Sequence, residues 1–566
     1  MGDASELYRI WVQGNADLSG PLPEDLTQLE ELWELIAEDT GLCMPQTPAF
    51  RDWMESVYFK TRIQLCGGEA HAEAYLIQAA QSREFPVPLV AGREALLRVF
   101  VASEQETGAM LPPVRVTFFV DGAEVHVEDI PAGSSAIPTE VQEGELDLSP
   151  HAVISAEVIQ PGLEMVVEID PDGTLDPNLG VSKRIPESGR TTVDVRAVPP
   201  LLLTLLPMVW TEDNDREAAT FVSTADPEDE FFRQTRTYLP VAEIEIARHA
   251  SITVDSNDSG DLIADVGRIR VMEEGVGHWV GLIPDIGGNI AGRATFPFFS
   301  DEIPYSGKVA ISVLSAETFA HELGHNLSLF HAECSGNEGG PDPSFPYEGG
   351  RIGIWGWDSR DGGSLVDPAS PVRDFMSYCD PTWVSDYYFA NALRYRLQDT
   401  LEVWEAPAAS RTLLVSGGAD ADGALHLDPA FVVDARPVLP HAPGPYTLTG
   451  RRADGSELFS LRFDMGVIWD GDGESGFTFA LPVEPAWETA LASLSLAGPG
   501  GSVEIAEGSE PPMAILRDPA TGQVRAIFRD LPSGPLAQSA ADARAPEPGL
   551  EVMVSSGLPG ASAWRR

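Results

Sequence analysis

The chain has 566 residues, and its 36 basic and 88 acidic side chains give a formal net charge of −52. At about 150 residues per domain, this length predicts about four domains. The negative charge argues against a nucleic-acid-binding protein, which needs basic residues opposite the phosphates, and against docking on anionic membranes. No apolar run approaches the ~18 residues of a transmembrane helix. We therefore expect no membrane span, and we expect a monomer because strong like charge opposes self-association.

Residues 1–66 carry a repeat pattern. Leu7, Ile10, Val12 and Asn15 lie at LxxLxLxxN spacing, LSGPLP follows at 18–23, and a similar register returns about 25 residues later. The pattern resembles the plant-type leucine-rich repeat. Since one and a half repeats cannot bury their own faces, we predict the end of an array, closed by a cap between Cys43 and Cys66. The alternative is an amphipathic helix around residues 26–36.

Two later regions read as β-structure. Strand-length runs rich in β-branched and aromatic residues, separated by Gly and Pro, fill residues 67–198 and return in residues 406–530. Short strands at this spacing predict two β-sandwich domains. Residues 531–566 begin with a segment rich in Ala, Pro, Ser and Gly, which predicts a linker or tail.

The region 199–405 has a different pattern. Leu201–Leu206 is apolar except for Thr204, as expected of a strand that is buried on both faces. Predicted helices at 227–238, at 261–272 and from Ala316 alternate with strand-like runs at 243–246, 279–283, 289–296 and 309–314. Such alternation predicts an α/β domain.

Three of the ten histidines fall within one short segment, at positions 321, 325 and 331. His321 and His325 are four residues apart, so a helix places both on one face, where two imidazoles can bind one Zn²⁺ at about 2.0–2.1 Å. Glu322 follows His321 and is turned by ~100°, so it reaches a metal-bound water rather than the metal. His331 is too far along to stay on that face and must arrive by a turn. The alternative is a helix with two core histidines and a solvated glutamate.

The string HExxHxxxxxH, followed by the Met-containing segment DFMSY at 374–378, is the signature of the metzincin clan of zinc endopeptidases. Residues 321–331 and 374–389 resemble those of bacterial exported multidomain members, and the resemblance covers roughly residues 200–400. It implies zinc on His321, His325 and His331, with Glu322 as general base, Met376 beneath the metal, and Tyr378 binding zinc or stabilising the oxyanion. It also implies an edge strand that lines the substrate near Asn289–Phe296 and a specificity wall near Asp380–Tyr388.

The sequence thus predicts a multidomain protein: an α/β metzincin-like domain with a mixed sheet and an active-site helix, flanked by β-sandwich domains and a leucine-rich-repeat remnant. Its predicted function is zinc-dependent hydrolysis of peptide bonds in a protein or peptide substrate, in which Glu322 takes a proton from a zinc-activated water. One position departs from the clan pattern. Ser328 stands where the helix ends in a left-handed turn that usually holds glycine, at a cost of ~1–2 kcal/mol. Glu348 is the rival third ligand.

The cysteines and the other acidic segments leave alternatives open. Cys43, Cys66, Cys334 and Cys379 form two local pairs, as disulfides in an exported protein or as free thiols in a cytosolic metal-dependent hydrolase. The second pair would clamp the segments that follow His331 and Met376. We expect a secreted or cell-surface protein, although the N-terminus shown lacks a signal peptide. A second alternative is an adhesion protein with a catalytically silent zinc domain. Acidic loops at 170–176, 255–261, 420–423 and 470–474 could hold Ca²⁺, but solvated turns fit them better.

Overall fold

The computed structural model describes residues 7–37, 40–45, 47–57, 59–60, 63–66, 73–83, 86–284, 290–297, 308–336, 338–398, 408–440, 443–471 and 473–565. Its internal contacts divide the chain into two compact units. Unit 1 contains residues 1–198, 236–242 and 330–397, and unit 2 contains residues 199–235, 243–329 and 398–566. No helix within these described ranges has the length and apolar character needed to cross a bilayer.

Unit 1 begins with short strands that recur at a regular spacing. They are β1 (Arg9–Trp11), β2 (Ser19–Pro21), β3 (Glu34–Ile36), β4 (Gly41–Met44), β5 (Phe59–Lys60) and β6 (Gln64–Leu65), with helix α1 (Pro48–Ser56) between β4 and β5. Two parallel sheets form, in the orders β1-β3-β5 and β2-β4-β6. Arg9 pairs with Glu34, and Glu34 pairs with Phe59. Each of these pairs spans 25 positions (34 − 9 and 59 − 34), which matches the spacing of the sequence pattern. The predicted alternative helix at 26–36 is not formed, because residues 34–36 are a strand.

The next part of unit 1 is built almost entirely of strands. They are β7 (Ala74–Ile77), β8 (Ala80–Gln81), β9 (Leu89–Val90), β10 (Ala95–Val99), β11 (Val114–Val120), β12 (Ala123–Ile130), β13 (His151–Ile154), β14 (Leu163–Ile169), β15 (Arg184–Ile185), β16 (Thr191–Thr192) and β17 (Val195–Arg196). One sheet has the order β13-β10-β7, and another has the order β12-β11-β14-β15 with β16 also on β14. Residues of both sheets share one apolar core, which includes Leu97, Val116, Phe118 and Val167.

Unit 2 begins with the predicted alternation of strands and helices. The elements are β18 (Leu201–Trp210), α2 (Glu217–Thr224), α3 (Arg233–Tyr238, whose last residues belong to unit 1), β19 (Ile244–Arg248), β20 (Ile252–Val254), α4 (Ser259–Met272), β21 (His278–Ile283), β22 (Gly292–Phe296), β23 (Val309–Val313) and α5 (Ala316–Asn326). Strands β18, β21 and β23 are parallel neighbours, and β22 runs antiparallel to β23. The sequence pattern located most of these elements, because buried parallel strands are continuous apolar runs, but it did not predict α2 or β20.

The chain then returns to unit 1 with little regular structure. It forms β24 (Trp355–Asp358), β25 (Ser364–Val366), β26 (Arg373–Asp374), β27 (Thr382–Trp383) and most of helix α6 (Asp386–Gln398). β24 pairs with β25 on one side and with β8 on the other.

The last part of unit 2 is again rich in strands. Its elements are β28 (Ser410–Ala419), β29 (Leu425–Leu427), β30 (Phe431–Ala435), β31 (Tyr446–Arg451), β32 (Glu457–Phe463), β33 (Gly466–Trp469), β34 (Ser475–Pro482), α7 (Trp487–Ala490), β35 (Ser493–Gly498), β36 (Gly501–Ala506), β37 (Met513–Arg517), β38 (Val524–Phe528), α8 (Leu536–Arg544) and β39 (Glu551–Ser555). The segment 531–566, predicted as a linker or tail, therefore contains a helix and a strand. Ala537 and Ala541 of α8 are buried, and β39 pairs with β37, which explains why small apolar residues are frequent there.

Strands from the early and late parts of unit 2 join in one mixed sheet. Among the described residues it has fourteen strands, in the order β29-β28-β34-β33-β22-β23-β21-β18-β20-β38-β37-β39, with β19 also on β18 and β30 also on β28. Helix α4 packs against this sheet through Leu262, Val266 and Ile269, in a core that also contains Leu414 and Ile515. The sheet thus continues from the region predicted as α/β into the region predicted as a separate sandwich.

This sheet corrects one expectation about β22. The strand forms within the predicted range, although Asn289 lies outside the described residues. It is not an edge strand, however, because β33 pairs with its outer side in antiparallel register. Sequence periodicity identifies a strand but carries no information about a partner that lies so far along the chain.

Candidate metal centre

Helix α5 carries the first two predicted ligands, and its position is fixed at both ends. Ser315 caps the N-terminus, where its hydroxyl accepts a hydrogen bond from the Thr318 N–H. At the C-terminus, the Asn326 side-chain amide donates to the carbonyls of Thr295 on β22 and Val309 on β23. Apolar residues of α5, including the fully buried Phe319, hold its other face. The helix is therefore tied to the two strands beside it.

His321 and His325 lie on the same face of α5, as their spacing predicted. Their ring centroids are 4.8 Å apart, and both side chains are buried. Nδ1 of His325 lies 2.8 Å from the carbonyl oxygen of Leu329. A neutral imidazole that donates from Nδ1 keeps its lone pair on Nε2, which is the form that binds a metal.

The end of α5 is closed by a Schellman motif centred on Ser328. The Ser328 N–H donates to the carbonyl of His325, and the Leu329 N–H donates to the carbonyl of Gly324. Ser328 has a φ of 63°, so the left-handed conformation inferred from the sequence is present on a serine. This turn directs the chain from the helix towards His331.

His331 lies in unit 1, just after the chain leaves unit 2 between Leu329 and Phe330. The residue is fully buried, and its Nδ1 is 2.6 Å from the carbonyl oxygen of Gly339. In the neutral tautomer that donates from Nδ1, Nε2 carries the lone pair that can bind a metal. The ring of Tyr378 meets the His331 ring edge to face at 4.9 Å, and half of Tyr378 is exposed to solvent.

The Met-containing segment 374–378 packs beside His331 in unit 1. Both carboxylate oxygens of buried Asp374 accept backbone hydrogen bonds, one from Met376 and the other from Ser385. Met376 is fully buried, and its carbonyl accepts a hydrogen bond from the Ala332 N–H. Asp374 therefore shapes this turn, a role that the sequence analysis did not assign to it.

Both predicted cysteine pairs are disulfides, so no thiol remains free. Cys334–Cys379 joins the segment after His331 to the segment after Met376. Glu338 supports the same loop, since its carboxylate accepts hydrogen bonds from the backbone N–H groups of Cys334 and Ser335. Cys43–Cys66 closes the strand-rich N-terminal part of unit 1.

Asp470 adds a fourth ligand-type side chain that the sequence analysis missed. It follows β33 in the chain, and its Oδ2 lies 3.3 Å from Nε2 of His321 and 3.3 Å from Nε2 of His325. Ligand atoms of His321, His325, His331 and Asp470 all lie within 4.8 Å of one another. Three imidazoles with available nitrogens and one carboxylate form a donor set suited to a divalent transition metal, so this buried group can bind a metal ion.

Glu322 is buried beside this group, in a space that only glycine leaves open. A Cβ atom at Gly292 on β22 would lie 2.3 Å from Oε1 of Glu322. The pKa of Glu322 lies well above its usual range because the carboxyl is buried and because the Asp470 carboxylate is close, while the Arg293 guanidinium acts in the opposite direction. Burial alone would raise the pKa of Asp470 as well, but His321 and His325, in the protonated form that they can adopt without a metal, hold it well below its usual value.

The remaining candidates fall outside the metal group. Glu348, the rival third ligand, is exposed to solvent. Among the described residues, the metal-competent groups do not include the acidic loops at 170–176, 255–261 or 420–423. In the first loop, the Asp170 carboxylate accepts hydrogen bonds from backbone N–H groups and from Lys183, as in an ordinary turn.

The loop at 470–474 was expected to be solvated, and Asp470 contradicts that expectation. Nothing in its local sequence, Asp-Gly-Asp-Gly, distinguishes it from the other acidic loops. Only the pairing of β33 with β22 brings it to the histidines.

No protein-family model matches the chain, and no curated protein matches its sequence.

Proposed function

We propose that this protein is a zinc-dependent endopeptidase with His321, His325 and His331 as ligands and Glu322 as general base. The observation that carries the proposal is the buried carboxyl of Glu322 directly after His321, in a space kept open by Gly292. A metal site with a purely structural role has no need of such a group. The resemblance of residues 321–331 and 374–389 to metzincins supports the same assignment.

The chemistry follows from the arrangement of the side chains. Zn²⁺ would supply a Lewis acid that lowers the pKa of a water towards ~7. Glu322 would receive a proton on its carboxylate and later donate that proton to the leaving amine. The hydrogen bonds from Nδ1 of His325 and His331 would hold both rings in the tautomer that presents Nε2. Tyr378, whose ring packs on His331, would stabilise negative charge that develops on the carbonyl oxygen.

The substrate that we propose is an extended protein or peptide chain, cleaved outside the cell or at its surface. Two disulfides favour an oxidising compartment, because thiols in the cytosol are usually kept reduced. The net charge of −52 keeps such a protein soluble and disfavours its self-association.

A second candidate is a catalytically silent zinc domain in a binding protein. It is favoured by Asp470, since a carboxylate 3.3 Å from both helix histidines completes four protein ligands. Structural zinc sites are typically closed in this way, whereas catalytic sites keep a position for water.

The test compares the zinc-loaded wild type with Glu322→Ala on an unfolded protein substrate. We expect equal zinc content in both proteins and cleavage by the wild type alone. Both proteins are also prepared with the additional substitution Asp470→Ala. This removes a carboxylate that could occupy the fourth ligand position of the metal and so prevent cleavage. Glu348→Ala is the matched control and should change neither zinc content nor cleavage. Absence of Glu322-dependent cleavage in both backgrounds, with zinc bound, would favour the silent domain.

A further inference from the structure

The short strand β33 occupies the position beside β22 where an extended peptide would bind. Ala294 pairs with Trp469, Thr295 with Ile468, and Phe296 with Val467, all in antiparallel register. Addition of an extended chain to a free strand is a common way for proteins to bind peptides, because the backbone supplies the hydrogen bonds. β22 also lies beside the candidate general base, since Gly292 borders Glu322.

The residues at the end of β33 are in direct contact with the metal-ligating histidines. Trp469 stacks on His325, with ring centroids 5.4 Å apart and an interplanar angle of 19°. Trp469 also packs on Phe296 of β22. The next residue, Asp470, places its carboxylate against His321 and His325. β33 therefore delivers an anionic ligand to the two histidines as the chain leaves the strand.

A second contact holds the connection that follows Asp470. Glu474 forms an ion pair with Arg293, which belongs to β22 and is itself buried. Arg293 directly follows Gly292, the residue that borders Glu322. Asp470 and Glu474, both in the connection between β33 and β34, thus contact oppositely charged or ligand-type groups of the candidate active site.

The attachment of β33 is small compared with that of its neighbour β34. β33 has four residues, all only partly buried, and it pairs with β34 at two positions. β34 pairs with β28 at eight positions, so it stays in the sheet without β33. β33 begins at Gly466, and Gly471 and Gly473 follow the strand in the chain. Glycine residues can take up a change in backbone direction.

We propose that β33 and Asp470 are an internal inhibitor, in which the strand fills the peptide-binding position and the carboxylate fills the fourth ligand position. This inference rests on the proposed endopeptidase function and specifies how that site is regulated. In this state the protein is latent, and displacement of residues 466–470 opens the site. The occupant is a segment of this chain, and it binds in the same backbone pairing that a peptide substrate would use.

The test uses the full chain with Asp470→Ala, and with the isosteric Asp470→Asn in case the first variant is insoluble. Asp464→Ala is the matched control, because this exposed aspartate lies just before β33 in the chain. Zinc content, cleavage of an unfolded protein, and binding of acetohydroxamate, a small zinc chelator, are measured for each protein. If fewer than about one tenth of the molecules are open at a given time, opening the site raises both apparent activity and chelator affinity at least ~10-fold.

We expect Asp470→Ala to retain one zinc, cleave at least ~10-fold faster and bind acetohydroxamate at least ~10-fold more tightly, while Asp464→Ala behaves as the wild type. Equal cleavage and chelator binding by wild type and Asp470→Ala would overturn the inhibitor and leave the endopeptidase function standing. Loss of zinc from Asp470→Ala would also overturn it, because Asp470 would then be an essential ligand. If zinc-loaded wild type and Asp470→Ala are both inactive, the endopeptidase function fails, and the inhibitor that rests on it fails too.

Discussion

Oδ2 of Asp470 lies 3.3 Å from Nε2 of His325, although the two residues are far apart in the sequence. The contact exists because β33 pairs with β22, which in turn is tied to helix α5 through Asn326. A carboxylate in this position balances the charge of the buried imidazoles and is also a ligand for the metal that they would bind. The relation between strand pairing and metal ligation is the main feature that the structure adds to the sequence motif.

Gly292→Ala should impair the proposed catalysis without removing the metal. The new Cβ would lie 2.3 Å from Oε1 of Glu322, so the carboxyl must move. A displacement of about 1 Å in a catalytic group can lower the rate about 100-fold. We expect unchanged zinc content and much slower cleavage, measured in the Asp470→Ala background. Gly476→Ala is the control, because its Cβ would meet no atom closer than 3.5 Å. Similar rates for both variants would contradict the assigned position of Glu322.

Ser328 provides a test of the turn that leads to His331. Its φ of 63° suits glycine, and a β-branched residue is strongly disfavoured there. We expect Ser328→Val to lower the free energy of unfolding by about 1–2 kcal/mol or more and to weaken zinc retention, while Ser328→Gly stays within about 1 kcal/mol of the wild type. Thermal unfolding and zinc analysis would measure both effects. A valine variant as stable and as zinc-loaded as the wild type would argue against this turn.

The two disulfides should differ in their effect on the metal. Cys334–Cys379 joins the segments that carry His331 and Met376, whereas Cys43–Cys66 lies in the N-terminal part of unit 1. Replacing both cysteines of either pair by serine should lower stability by about 2–4 kcal/mol. We expect only the Cys334/Cys379 variant to lose zinc more readily in a competition with a chelating dye. Equal zinc retention in the two variants would contradict a role of the second disulfide in the metal centre.

Asp170 should make part of the stability of unit 1 dependent on pH. Its carboxyl is buried, which alone would raise its pKa, but hydrogen bonds from Leu175, Thr174 and Lys183 hold the pKa well below its ordinary value. A depressed pKa means that the stabilisation is present above about pH 4 and is lost as the pH falls below that value.

Asp170→Asn removes the charged acceptor. We expect it to lower stability near pH 7 by about 1–3 kcal/mol, with a difference from the wild type that shrinks towards pH 2. Urea unfolding at a series of pH values measures this difference. A difference that does not vary with pH would show that the carboxylate charge is not the cause.

Much of the fold around α5 could be predicted from local sequence. The apolar run of β18, most of the alternating elements up to β23 and the start of α5 near Ala316 follow from periodicity. The same holds for His321 and His325, since their relative position depends only on helix geometry. The positive φ of Ser328 was expected from the resemblance to the metzincin pattern, in which this position usually holds glycine.

The pairing of strands that are distant in the sequence could not be predicted from local sequence. No local pattern indicates that β33 lies against β22, that β39 joins the large sheet through β37, or that Asp470 contacts His321 and His325. The role of Asp374 could not be predicted from local sequence either. Its carboxylate accepts hydrogen bonds from the backbone N–H groups of Met376 and Ser385, and the second of these depends on how the segment is folded. The residues that tertiary pairing brings to the site are therefore the ones that the sequence motif left out.

The most direct test of the central claim is the number of zinc ions per chain in metal-dialysed wild-type protein, measured by elemental mass spectrometry. The double variant His321→Ala/His325→Ala, checked for folding by circular dichroism, serves as the control. The account predicts close to one zinc per wild-type chain and none in the control. A folded wild-type chain that holds no zinc and takes up none when zinc is added would contradict the metal centre and the endopeptidase function built on it.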